Sequence, residues 1–156
     1  MDSLVALLLN WIAANTHYEF GDIPHPAVIE LTAQELTREL YRDVPDSIPD
    51  SGVDDRIQAL YSWEDGQHGT IYILERSDTK VSLSQETGLD NPLFQERLLH
   101  ELVHHVQYVT GEYDSFTCVK EGELAAYHYA GKFLSQQSVA DPLPNRRILA
   151  HLYSRC

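Results

Sequence analysis

The stretch His100-Glu101-Leu102-Val103-His104 says more about this 156-residue chain than any other part of its sequence. On an α-helix, residues four positions apart lie one turn apart, so the imidazoles of His100 and His104 project from the same side. Two neutral imidazole nitrogens beside a carboxylate form the arrangement that catalytic zinc sites use, with the glutamate as general base. The stretch therefore predicts two metal ligands, His100 and His104, and a catalytic base, Glu101.

The motif lies inside a long predicted helix. Asp90 or Asn91 can cap the N-terminus of this helix, Pro92 suits its first position, and Gly111 ends it. Apolar residues at helical spacing predict a buried stripe made of Phe94, Leu98, Leu102, Val106 and Val109. A helix anchored along such a stripe would hold its metal ligands rigidly.

The surroundings of the two histidines favour a metal over a solvated surface. His100 and His104 lie about 40° apart around the helix axis, away from the buried stripe. Leu99 and Val103 extend the apolar surface, so that the helix is nearly surrounded. Histidines on a buried helix need polar partners, and a metal ion supplies one. The alternative is a pair of surface histidines on an amphipathic helix.

A third protein ligand must come from elsewhere, because catalytic zinc commonly takes three protein ligands and leaves one position to water. A last long helix is predicted from about residue 119 to residue 137. Glu123 shares a helical stripe with small and apolar residues, namely Ala126, Tyr127, Ala130 and Leu134. Glu121 lies on another side, where it suits the positive N-terminus of the helix. We expect Glu123, rather than Glu121, to be the third ligand.

These four residues resemble a known pattern. His100, Glu101, His104 and Glu123 match, one by one, the gluzincin branch of the zincin metallopeptidases, which has H-E-x-x-H on an active-site helix and a glutamate ligand on a following glutamate helix. The resemblance looks closest to the minigluzincins and to small bacterial zincin-like domains, which often read H-E-L-V-H-x-x-Q with a later Glu before Ala-Tyr. The match covers about 35 residues.

The resemblance implies a Zn²⁺-dependent peptidase. In such an enzyme Glu101 takes a proton from the attacking water and passes it to the leaving amine. A further donor usually stabilises the oxyanion, and the candidates are Tyr127, His128, His151 and Tyr153. Gln107 is a candidate for hydrogen bonding to one of the metal ligands. His105 points to another face of the helix and is expected to have no part in metal binding.

The rest of the chain predicts helices and a small sheet. Ser3 can cap a first helix, and Thr32 with Glu35 forms a capping box for a second. Strands are expected at residues 27–31, 59–63 and 70–74, with a short extended piece at Val81 and Leu83. This order predicts an α+β fold, specifically one compact zincin-like domain over residues 1–156 with an active-site helix and a glutamate helix.

Composition bears on partners and location. The chain has 24 acidic and 11 basic residues and a formal charge of −13. Such a surface repels phosphate backbones and anionic lipid, which argues against nucleic-acid or membrane binding. The apolar run from Leu4 to Leu9 is too short to span a bilayer and lacks a basic leader, so we expect a cytoplasmic protein. Cys118 and Cys156 are expected to be simple thiols, although they could pair if the protein were exported.

Two functions of different classes follow from the sequence. The leading one is a zinc metallopeptidase that acts on peptides or a protein substrate. The alternative is a non-catalytic binding or regulatory module that keeps the zincin fold, with or without its zinc. The presence of Glu101 favours the first, because a purely structural zinc site needs no general base. A third interpretation is that the H-E-x-x-H motif occurs by chance in a metal-free helical protein. Substrate and oligomeric state stay open.

Overall fold

The described part of the chain, residues 1–76 and 89–156 of a computed structural model, contains five α-helices and one three-stranded sheet. In chain order the elements are α1 (Asp2–Asn15), β1 (Ala27–Leu31), α2 (Ala33–Leu40), β2 (Ala59–Ser62), β3 (Thr70–Leu74), α3 (Pro92–Val109), α4 (Glu123–Gln136) and α5 (Arg146–Tyr153). The predicted α+β class is confirmed. The extended piece expected at Val81 and Leu83 falls outside the described residues.

Strand β3 occupies the centre of the sheet. It pairs in parallel with β1, from Ala27 opposite Thr70 to Leu31 opposite Leu74, and antiparallel with β2. Ile71 and Ile73 are fully buried. A strand with neighbours on both edges and apolar residues along its length belongs in the interior of a sheet. Helix α3 packs against both β2 and β3.

Helix α3 forms the middle of the core. At most 1% of the surface of each of six of its apolar residues is exposed, and these are Phe94, Leu98, Leu99, Leu102, Val103 and Val106. Helix α1 covers one side, and α4 packs closely through Ala126 and Ala130, which are also fully buried. Burying one large apolar side chain contributes about 1.5–3 kcal/mol to folding. The core therefore fixes α3 firmly.

The capping residues predicted for α2 and α3 are present in the structure. The Asn91 side chain accepts a hydrogen bond from the backbone N–H of Leu93, Pro92 is the first residue of α3, and Gly111 follows its end with φ of 77°. The capping box of Thr32 and Glu35 is present at the start of α2. These motifs act over three or four residues, which is why the sequence alone reveals them.

Two expectations about helix termini were wrong. Ser3 does not cap α1, because the helix already begins at Asp2 and no side chain bonds to its cap. The helix predicted from residue 119 to residue 137 is divided into a 3-10 helix (Val119–Gly122) and α4, which begins at Glu123. This division places Glu123 in the first turn of α4 rather than in its interior.

Helix α5 was not predicted from the sequence. Its first residue, Arg146, is buried and donates hydrogen bonds to Glu96 Oε1 at 2.7 Å and to Asp141 Oδ2 at 2.7 Å. Helix α5 packs mainly on α4. Ile148, Leu152 and Tyr153 of this helix are more than half exposed, so a buried ion pair rather than an apolar stripe fixes its start.

The expectation that Cys118 and Cys156 are simple thiols was wrong, because they form a disulfide whose Cα atoms lie 6.0 Å apart. The two cysteines are 38 residues apart in sequence. They meet only because α5 returns the C-terminus to the 3-10 helix that precedes α4. Such proximity is a property of the tertiary fold, which sequence spacing does not reveal.

We predict that the disulfide contributes measurably to stability. A crosslink that closes a loop of this length restricts the unfolded chain, which amounts to about 2–4 kcal/mol. The variant Cys118→Ser/Cys156→Ser should lose about that much free energy of unfolding in urea titrations. Protein denatured without reductant should show no free thiol. Two titratable thiols in unreduced wild-type protein would contradict the pairing.

Candidate metal centre

Three side chains from two helices converge on one point. His100 Nε2 lies 3.2 Å from Glu123 Oε2, and His104 Nε2 lies 3.5 Å from Glu123 Oε1. The three ligand atoms all lie within 4.8 Å of one another, so this group could hold a metal ion. Among residues 1–76 and 89–156 the group has these three members and does not include Glu121. We call it the metal group.

The packing of α4 on α3 brings the metal group together. His100 and His104 are one turn apart on α3, with 15% and 8% of their side-chain surfaces exposed. Glu123 begins α4, and Gly122 before it lies against α3. A Cβ atom at position 122 would lie 2.7 Å from Gln107 Oε1 and 3.3 Å from His104 Nδ1. A side chain at position 122 would therefore force the amide of Gln107 to shift from the place it occupies here.

Gln107 links two parts of the metal group. Its Nε2 donates a hydrogen bond to the carbonyl oxygen of Gly122 at 3.2 Å, and its Oε1 lies 3.0 Å from His104 Nδ1. Since that oxygen can only accept, His104 Nδ1 carries a proton and donates it. Gln107 therefore contacts the side of His104 that faces away from the metal group, as expected. Partners of this kind fix the tautomer and orientation of metal-binding histidines.

The protonation state of His104 indicates whether a metal ion suits the metal group. With its proton on Nδ1, a neutral His104 turns the Nε2 lone pair towards the carboxylate of Glu123. Two acceptors 3.5 Å apart repel each other unless a cation, either a proton or a metal ion, lies between them. Two histidines and one glutamate are a donor set of catalytic zinc sites, so the residues present suit zinc.

The charges in the metal group also favour a cation. Burial opposes ionisation of Glu123, yet its interactions with His100 and His104 hold the pKa of this carboxyl well below its usual range. Burial likewise lowers the pKa of His104, but the hydrogen bond and charge of Glu123, together with the charge of Glu101, raise it overall. The ionised carboxylate of Glu123 thus attracts positive charge to Nε2 of His104.

Glu101 lies beside the metal group but is not a member of it. Its side chain leaves α3 about 100° from that of His100, and only 7% of the residue is exposed. Burial raises the pKa of its carboxyl, although the charges of His100 and His104 partly offset this. Because its pKa is raised, this carboxyl holds a proton more readily than a solvated glutamate does.

Two tyrosines adjoin the metal group. The ring of Tyr127 meets that of His100 edge-on at a centroid distance of 4.8 Å. The hydroxyl of Tyr113 lies 3.4 Å from His104 Nδ1. Burial raises the pKa of both phenols, which stay protonated and can donate hydrogen bonds. Sequence reasoning missed Tyr113, because it follows α3 in a 3-10 turn that carries no motif. His128 and His151 are exposed and lie outside the group.

His105 has a structural role, as expected. It is fully buried and points away from the metal group. Its Nε2 donates a hydrogen bond to the carbonyl oxygen of Pro24 at 2.8 Å, and its Nδ1 accepts one from the Tyr61 hydroxyl at 3.0 Å. Burial lowers the pKa of this imidazole, so it stays neutral and links α3 to β2.

Comparison of the chain with known protein families, with curated proteins and with solved structures gives no match. The resemblance to gluzincins therefore depends on His100, Glu101, His104 and Glu123 and stays a prediction. What the structure adds is that three of these residues form a group that could hold a metal.

We predict that Glu123→Gln weakens zinc binding far more than Glu121→Gln does, because only Glu123 contacts both histidines. Removing a ligand charge should lower zinc affinity by at least tenfold, on the order of the effect known for supporting groups. Competition with a chromophoric chelator measures the affinity. If Glu121→Gln had the larger effect, the third ligand would be Glu121.

Gly122→Ala should also weaken zinc binding, by about 10–100-fold, because the new methyl group would displace Gln107 from His104. The backbone at Gly122 has φ of −60°, which alanine adopts readily. The matched control is Gly21→Ala, since a Cβ atom at position 21 meets nothing within 4 Å. Equal zinc affinity in the two variants would show that the close approach has no role in ligand placement.

Proposed function

We propose that this protein is a small zinc metallopeptidase of the gluzincin type, which hydrolyses peptide bonds. The proposal rests on one observation. The ligand atoms of His100, His104 and Glu123 all lie within 4.8 Å of one another, and the buried carboxyl of Glu101 lies beside them. Metal ligands alone would suit a structural site. A buried carboxyl next to them, with a raised pKa, is what hydrolysis requires.

The residues divide the chemistry among them. His100, His104 and Glu123 would hold zinc, which supplies Lewis-acid chemistry by polarising a carbonyl and easing the ionisation of water. Glu101 would take the proton of the attacking water and deliver it to the leaving amine, because burial raises the pKa of its carboxyl and so favours proton uptake. Tyr113 and Tyr127 are the protonated hydroxyls near the metal group that could donate to a developing oxyanion.

The alternative function is a non-catalytic binding or regulatory module that retains the zincin fold and zinc. Such a module would need the three ligands but not Glu101. Isolated carboxyls are costly to bury, and a protein that used the metal only for structure would gain from replacing this one with an apolar residue. The position of Glu101 therefore favours catalysis over the alternative.

We propose that the substrate is a peptide or a protein. The formal charge of −13 argues against nucleic acid and membrane as partners, because both are negatively charged. Within the described ranges, 1–76 and 89–156, no helix has the length and apolar character needed to cross a bilayer. The disulfide favours an oxidising compartment over the expected cytoplasmic location, because disulfides persist mainly in oxidising compartments. Thiol titration of protein taken from its natural cell tests the location.

The test of catalysis is the variant Glu101→Gln. This variant should retain zinc at the wild-type stoichiometry and lose about 10²–10⁴-fold in the rate of peptide cleavage, because the amide cannot accept a proton. Cleavage of a mixed peptide library, read by mass spectrometry, measures the rate, and Glu121→Gln serves as the surface control. Wild-type cleavage by Glu101→Gln would remove the base role. A zinc-loaded wild-type protein that cleaves no peptide would support the non-catalytic module.

A further inference from the structure

A row of aromatic side chains lies where strand β2 meets the C-terminal end of α3. Each ring contacts at least one other of the row, at centroid distances of 5.4–6.5 Å. We call this row the aromatic surface, and its members are Tyr61, Trp63, Tyr108, Tyr113 and Phe116.

Two members of the aromatic surface remain open to water. The rings of Trp63 and Tyr108 stack with their planes 22° apart, and 38% and 44% of the two residues are exposed. Neither residue belongs to the metal group, and the proposed hydrolysis gives neither a role. Tryptophan and tyrosine are among the residues that contribute most to binding at protein interfaces. Contiguous exposed rings therefore mark a place where a partner binds.

The charge around the aromatic surface is negative. Its five members come from two segments, residues 57–75 and 98–119, and neither segment contains a lysine or an arginine. Glu64 follows Trp63 in the sequence and Asp114 follows Tyr113, and both acidic residues are exposed. Arg42 approaches Asp65, but Asp65 and Glu39 together balance its charge. The partner that complements this region carries positive charge.

We propose that the aromatic surface binds arginine side chains of a partner protein. A guanidinium group is planar and always charged, and it stacks on aromatic rings. Trp63 and Tyr108 offer exposed ring faces, and the carboxylates of Glu64 and Asp114 can accept hydrogen bonds from a guanidinium. An apolar side chain would use the rings alone, whereas the ammonium of lysine is more strongly hydrated and has no plane to stack. The inference does not depend on the proposed hydrolysis.

The test uses three peptides of equal length in which glycine alternates with arginine, with lysine or with citrulline. Citrulline keeps the planar end of arginine but carries no charge. Isothermal titration should show the arginine peptide binding at least about tenfold more tightly than the citrulline peptide, and also more tightly than the lysine peptide. Added salt should weaken this binding, because it screens exposed charges. Equal binding of the arginine and citrulline peptides would overturn the proposal.

Substitutions locate the binding. Tyr108→Leu should weaken binding of the arginine peptide by at least about fivefold, and Tyr153→Leu is the matched control, because Tyr153 is a 52% exposed tyrosine on α5. Circular dichroism verifies that both variants are folded. Equal affinities in the two variants would contradict the proposed site.

The acidic residues are tested in the same way. Glu64→Gln/Asp114→Asn should weaken binding more than Asp2→Asn/Asp50→Asn does. The second pair removes the same charge from exposed residues outside the two segments. Equal affinities in the two double variants would show that only the overall charge acts, and would overturn the role of Glu64 and Asp114.

Tryptophan emission reports on the site directly. The chain has two tryptophans, so Trp63 is the one that remains in the variant Trp11→Phe. Its emission should change along the same binding curve as the heat of titration. Unchanged emission during binding would place the peptide elsewhere and overturn the proposal. A wild-type dimer in sedimentation that Tyr108→Leu dissociates would also overturn it, because the occupant would then be a second copy of this chain.

Discussion

The close approach of Gly122 to Gln107 is the constraint on which the metal group depends. The carbonyl oxygen of Gly122 accepts a hydrogen bond from Gln107, and a Cβ at position 122 would lie 2.7 Å from Gln107 Oε1, so it would force this amide to shift. The same amide orients His104. One glutamine thus fixes the rotation of a ligand on one helix and the position of the next helix, whose first residue is Glu123. Buried packing along α3 keeps this arrangement rigid.

A second consequence is electrostatic. The same few side chains place two carboxylates, Glu101 and Glu123, near two imidazoles inside a protein whose surface is already strongly acidic. Interior charges persist only where partners or metals compensate for lost hydration. The pKa of Glu123 falls while that of Glu101 rises, although both are glutamates. Under the proposed function, this divergence would separate the metal ligand from the base.

Sequence reasoning succeeded where structure is set locally. The apolar spacing around His100 predicted α3, the capping residues predicted its ends, and runs of β-forming residues predicted strands β2 and β3. It also favoured Glu123 over Glu121, because the stripe of small residues on α4 identified the side that packs inward. These features depend on residues within one or two helical turns of each other, and periodicity detects that range.

It failed where distant parts of the chain meet. Helix α5, the Cys118–Cys156 disulfide and the position of Tyr113 all depend on how the chain returns to α3 and α4 after leaving them. The change from the 3-10 helix to α4 after Gly122 was likewise not predicted from the sequence. The central claim is that two helices share one zinc ion. Anomalous diffraction at the zinc edge from crystals of the zinc-loaded protein tests it most directly. The account predicts one peak bonded to His100 Nε2, His104 Nε2 and the Glu123 carboxylate, and a fully loaded crystal whose peak lies away from these atoms would contradict it.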